Sequence, residues 1–292
     1  MANTNNRQVM LTAAVRGLRG VERALDRLGW HRIYNAPAKR QAIYSEGKSE
    51  GQLAKYQKNQ GRTNNCGAYS VAAALRLIAD EAPKAKTVST GAGARINYDS
   101  VVETANRHAM ARPGVIGGLI EGIAAESLRM WPGGPTTPRQ QARLARFIAA
   151  RQGMHINAEV MRGTPEDLLH FLAEPLTHVL VTIGWSANPP QILYPDGKFQ
   201  RFGKPEAFEI AGRKFSAPFN AHVMLLAAYD PSHTAGDDGQ GVPWGFINSW
   251  VDAGEGLYWM TEDDFRSAWR FVIPLVGRQQ MVVIQQASTA RV

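Results

Sequence analysis

The sequence predicts an α+β fold with a helical first half and a β-rich second half. Two observations carry this. Up to about residue 152 the apolar residues recur at helical spacing within alanine-rich stretches. From Gly153 onward the chain turns to short apolar runs rich in Val, Ile, Phe and Trp, separated by turn residues. A third observation sets the scale: 292 residues, 44% hydrophobic and 20% charged, describe an ordinary globular chain. Such a length suits one large domain or two modest ones and buries a sizeable core without disulfides.

Taken in order, residues 9–28 place Leu11, Val15, Leu18, Val21, Leu25 and Leu28 on one helical face opposite a basic one. A helix packed on the body is the default reading, and contact with a membrane surface is the alternative. Residues 31–56 are polar without a period and read as a connecting arm, so residues 1–59 form an N-terminal helix and arm. This segment is a strut by default, or else a pro-segment or docking segment. A second helix is expected to start at Cys66 and end near Pro83. Further helices are expected over Tyr98–Met110, Ile116–Met130 and Pro138–Gln152, which makes 60–152 a helical subdomain. The remainder, 153–292, is expected to be a β-rich subdomain. HINAEVM reads as a strand, and Thr164-Pro165 opens the short helix DLLHFLAE with a capping hydroxyl and a first-turn proline. HVLVTIGW is a strand, ILYPDGKFQRF a hairpin, and HVMLLAAYD, WGFINSW, GLYWM and RFVIPLV are further strands.

Charge and cysteine usage narrow the function. The formal net charge is +8, from 33 Lys+Arg against 25 Asp+Glu. The arginines are scattered at spacings of exposed helix faces (Arg16, Arg19, Arg23, Arg27; Arg139, Arg143, Arg146, Arg151), with no nucleic-acid motif, so nucleic acid is not the expected partner. The single cysteine excludes an intrachain disulfide and a multi-cysteine metal site. Arg16 and Arg19 interrupt the apolar N-terminal stretch, so no secretory signal is read, and no run approaches the ~20 residues of a membrane span. The cytoplasm is the default location, with signal-independent export as the alternative. No phosphate-binding, dinucleotide or HExxH motif occurs, and the acidic pairs lack calcium-loop spacing, so neither metal nor cofactor is expected.

Three short segments carry candidate chemistry. In QGRTNNCG, Cys66 stands where a polar loop meets a helix, and the partial positive charge of a first turn favours thiolate. Gln60, six residues upstream, could present an amide N–H to a developing oxyanion. In AHVMLLAAYD, His222 opens an apolar strand, which suits a base held rigidly. In FINSW, Asn248 could accept the imidazole's other N–H, and Trp250 could shield that bond from water. Each segment alone also has a bland reading: a core thiol, a strand-opening histidine, a strand-end asparagine. His178 opens a similar strand with Asp196 downstream, which leaves a Cys66–His178–Asp196 arrangement open.

Together, QGRTNNCG, HVMLLAAYD and FINSW resemble the papain-like cysteine peptidase superfamily in the order Gln, Cys, His, Asn. The look is closer to bacterial branches such as the peptidases that process double-glycine leader peptides. The likeness spans roughly residues 60–265. It implies a papain-like fold with the cysteine on the helical subdomain and the histidine and asparagine on an antiparallel β-rich one. It further implies Cys66 as nucleophile, His222 as base and then acid, Asn248 as orienter and Gln60 in the oxyanion hole, with Asn65, Gly67 and Trp250 in support. The substrate would be a protein or peptide and no cofactor would be needed. HVLVTIGW fits the strand that precedes the histidine strand in such chains, which favours His222 over His178; Gln57 has the wrong spacing for the oxyanion position. Gly67, in place of the bulky aromatic of papain itself, and the long PSHTAGDDGQGVP insertion depart from the pattern. Two other classes stay open: transglutaminase, deamidase or acyltransferase chemistry on the same residues, and a non-catalytic basic effector or binding module.

Overall fold

The computed structural model describes residues 41–61, 65–82, 96–105, 137–204, 207–210, 213–216, 219–236, 239–250, 255–271 and 279–287. The helices expected over residues 9–28 and 116–130 lie outside them. The described chain is a mixed α/β structure built on a large antiparallel sheet.

The described part of the arm, from residue 41, forms more regular structure than its aperiodic sequence implies. Residues 42–292 cluster as one compact unit, so 42–59 pack with the body. Strand β1 (Ile43–Tyr44) leads through a 3-10 turn at Ser45–Gly47 into α1 (Glu50–Leu53) and a second turn at Ala54–Tyr56. These pieces are too short for any period to show, and a Ser49–Gln52 capping box starts the helix locally. Helix α2 (Cys66–Glu81) begins at the cysteine and buries an alanine-rich face. Helix α3 (Tyr98–Thr104) and α4 (Pro138–Arg151) follow, the latter opened by a Thr137–Gln140 capping box and Pro138. Arg139, Arg143, Arg146 and Arg151 are exposed on α4.

The second half supplies β2 (Ile156–Arg162), α5 (Pro165–Ala173), β3 (Thr177–Trp185), β4 (Gln191–Leu193) and β5 (Phe199–Arg201). Next come β6 (Ala207–Ile210), β7 (Arg213–Ser216), β8 (Asn220–Tyr229), β9 (Thr234–Ala235), β10 (Gln240–Gly241) and β11 (Trp244–Ile247). The chain closes with β12 (Tyr258–Met260), α6 (Glu262–Arg270) and β13 (Gln280–Gln286). The β4–β5 hairpin turns at Gly197, whose φ of +83° suits glycine. The strand expected at RFVIPLV is not found at its start: Arg270 ends α6 and Phe271 caps it, while 272–276 lie outside the described residues. The acidic Glu262-Asp263-Asp264 run is the first turn of α6, where negative charge meets the helix N-terminus.

Among the described residues the main sheet has nine strands in the order β2-β13-β3-β8-β11-β12-β4-β5, with β1 also paired to β8. Strand β3 is buried along its whole length, and β8 from His222 onward, with α2 packed against β8. No helix among the described residues is long and apolar enough to cross a membrane.

Candidate functional site

The site forms where β8 outruns its neighbour. Strand β11 pairs with β8 only as far as Ile247 opposite Leu225, so among the described residues the β8 edge ahead of Leu225 has no strand on that side. The N-terminal turn of α2 docks there instead. Backbone N–H groups of Val223, Gly67 and Cys66 itself face the Cys66 sulfur, and Ser70 Oγ donates to the Val223 carbonyl at 3.2 Å. Cys66 and Ser70 are one turn apart, so one helix face takes both backbone groups of Val223. The sulfur is thereby held against the residue next to His222.

A register shift brings Asn248 to His222. Gly245 stands opposite Ala228 but Phe246 stands opposite Leu226, so Ala227 is an extra residue on β8. Past the shift, Asn248 continues the ladder toward Met224 and shares a sheet face with His222. Without it, Asn248 would fall in line with Leu225 and point to the other face. The shift sits at a residue with no room for a side chain: a Cβ on Gly245 would lie 2.9 Å from the Trp259 ring and 3.0 Å from Ala228 Cβ. His222 Nε2 then meets Asn248 Oδ1 at 2.7 Å. The Ser249 backbone N–H, which also donates to Oδ1 at 2.7 Å, identifies that atom as an acceptor. His222 is therefore the Nε2–H tautomer, and Nδ1 is its lone-pair nitrogen.

Aromatic rings close over this pair. Trp250 stacks on the His222 imidazole, with centroids 4.7 Å apart and planes at 29°, and Phe202 packs at 5.7 Å. Phe202 also meets Trp250 edge-on at 4.9 Å and Trp185 at 4.7 Å. Gln60 is tied to the segment after Asn248. Its backbone N–H donates to the Ser249 carbonyl at 2.8 Å, and its Oε1 receives Ser249 Oγ at 2.6 Å. That commits the carbonyl end of the Gln60 amide to Ser249. Asn65 precedes α2 as its cap through its backbone, since Tyr69 N–H donates to the Asn65 carbonyl and the side chain makes no capping bond.

Electrostatics differ from the thiolate expected at a helix start. Burial pushes the Cys66 thiol up and outweighs the three N–H groups that favour the thiolate. Burial also lowers His222 to about 4, against the opposing pull of Asn248. Burial thus favours the neutral thiol at Cys66 and the neutral imidazole at His222.

His178 lies elsewhere. His222 pairs with Ile183 on β3, five residues from His178, or about 17 Å along the strand and on the opposite face. Its Nδ1 is 3.2 Å from Ser45 Oγ and its Nε2 is 3.5 Å from Glu46 Oε1. Asp196 is in the β4–β5 turn with Lys198. Two residues given no site role by the sequence join it: Phe202, and Gln57, which was set aside for its spacing and whose Oε1 accepts from the Asn248 backbone N–H at 3.4 Å. Ser249 was legible only as the middle of the Asn-Ser-Trp triplet. Phe202 carries no local signal, because its contact depends on how the β4–β5 hairpin folds back.

No protein-family model matches the chain, and no curated protein matches it. Among solved structures it is similar to a provisionally assigned C39-like peptidase from Bacillus anthracis, with 11% identity and a TM-score of 0.41 over 86% of this chain and 100% of that one.

Proposed function

We propose that the protein is a papain-like cysteine peptidase that hydrolyses peptide or isopeptide bonds. The observation that carries this reading is the His222 Nε2 to Asn248 Oδ1 bond at 2.7 Å, beside a sulfur packed on the next residue of the same strand. Fixing Nε2 as the donor makes Nδ1 the base. As a substrate carbonyl arrives, the Cys66 proton moves to Nδ1 and Sγ attacks the carbonyl carbon. The Cys66 backbone N–H and the Gln60 amide would stabilise the oxyanion. His222 then protonates the leaving amine, and a water deprotonated by Nδ1 releases the acyl group and restores the thiol. Trp250 and Phe202 keep water from the His222–Asn248 bond, while Asn65 and Gly67 fix the turn that presents the sulfur. In this reading the helical part carries the nucleophile and the sheet carries base and orienter.

The test is incubation of wild type and Cys66→Ala with a peptide library and a free amine, read by mass spectrometry. New peptide termini are expected with wild type only, falling by more than about a thousandfold in the variant. Cleavage by Cys66→Ala at the wild-type rate contradicts the proposal. Amine adducts or deamidation without cleavage would assign acyl transfer instead.

A further inference from the structure

The segment between β11 and β12 carries Asn248, Ser249 and Trp250, and one buried amide ties both of its ends. Asn248 is one residue beyond the last β8–β11 pair, so its backbone N–H leaves the ladder while buried at 2% exposure. A buried N–H without an acceptor is costly. Gln57 Oε1 receives it at 3.4 Å, and Gln57 Nε2 donates to the carbonyl of Gly256, just ahead of β12. Gln57 is itself 2% exposed. A neighbour in the arm adds to this, since Glu50 Oε1 accepts from Leu257 N at 2.9 Å and from Trp259 Nε1 at 3.2 Å.

The Asn248 side chain needs such support. Its Oδ1 takes two donors, but its buried Nδ2 has no partner among the described residues. Among the described residues the amide is therefore not anchored from its donor end, and its aim at His222 depends on where the backbone is held. We propose that Gln57 is a positioning residue that clamps the base of the 248–256 segment and, through Asn248, sets the tautomer and orientation of His222. The role assigned to that orientation rests on the peptidase reading; the clamp itself does not. Both ends of the Gln57 amide are used, so neither an apolar nor a purely accepting side chain replaces it.

The test uses full-length protein labelled with ¹⁵N-histidine, as wild type, Gln57→Met and Gln57→Glu. Wild type is expected to show His222 as the Nε2–H tautomer with a hydrogen-bonded proton slow to exchange. In Gln57→Met that proton should exchange at least roughly tenfold faster and Cys66 alkylation should slow, with the His178 signals unchanged as a reporter of the fold. Gln57→Glu still accepts from Asn248 but opposes a carboxylate to the Gly256 carbonyl, so it should fall between. Exchange in Gln57→Met within twofold of wild type overturns the proposal. If Gln57→Met loses the His178 signals, Gln57→Glu decides, and wild-type exchange there overturns it equally. Failure of the peptidase reading would appear separately, as wild type that cleaves nothing while the exchange contrast persists.

Discussion

Two histidines open two paired apolar strands, and their surroundings differ at every point. His222 lies near the start of β8, past the point where β11 has stopped, so an asparagine and a tryptophan reach it and a helix start meets its neighbour Val223. His178 begins β3 at the opposite end of the sheet, where the arm folds over it. Ser45 Oγ meets its Nδ1, Glu46 approaches its Nε2, and Lys48 and Glu81 act on it from nearby. Both rings are buried and both are held neutral: His222 is lowered to about 4 and His178 to about 3, each chiefly by burial. Burial and a depressed pKa therefore do not single out a catalytic histidine. The distinguishing feature is which partner fixes each nitrogen: Asn248 Oδ1 at His222 Nε2, against Ser45 and Glu46 at His178.

The contrast can be broken by substitution. His222→Ala should lower peptide cleavage by at least roughly a thousandfold with a modest effect on stability. His178→Ala should do the reverse. Losing a fully buried ring and leaving Ser45 and Glu46 without it should cost about 2 to 4 kcal/mol in denaturant unfolding, with cleavage per folded molecule unchanged. Equal losses of activity in the two variants would erase the distinction.

Acid titration sharpens it. Each histidine has a folded pKa below its unfolded value near 6.5, so the unfolded chain binds the proton first. Stability should fall as pH drops from about 6.5 toward 4, with about two protons taken up on unfolding. Glu46 works in the opposite sense: burial raises its pKa, so the folded chain takes that proton before the unfolded one does and offsets part of the loss within the histidine window. His178→Asn should reduce the uptake to about one proton, measured from the pH dependence of unfolding.

Smaller effects test the geometry around His222. Gly245→Ala places a methyl group against Trp259 and Ala228 at the register shift and should cost about 1 to 3 kcal/mol. Its cleavage should fall more than stability alone explains, because Asn248 moves with the shift. Trp250→Leu should reduce cleavage by roughly tenfold by letting water reach the His222–Asn248 bond, with the unfolding midpoint changed little.

Much of the candidate site is legible because the residues proposed for it sit in three uninterrupted segments whose local chemistry is distinctive. Cys66 at a helix start, His222 at a strand start and Asn248 at a strand end are positions that periodicity locates. Gln57 reads only as a glutamine at the wrong spacing, since its role depends on Asn248 and Gly256 both reaching it in the fold. Strand β13 carries a weak sequence signal because its apolar run, Met281–Ile284, is short and flanked by glutamines, yet it sits between β2 and β3. The protonation state was illegible for a related reason: a helix start argues for thiolate, and only the folded burial of Cys66 reverses the balance.

The most direct measurement is the alkylation rate of Cys66 by iodoacetamide at neutral pH in wild type, His222→Ala and His178→Ala. The chain has one cysteine, so all labelling reports position 66. Base assistance from His222 predicts wild-type labelling at least roughly tenfold faster than in His222→Ala, with folded His178→Ala matching wild type. Labelling of His222→Ala as fast as wild type would contradict the account.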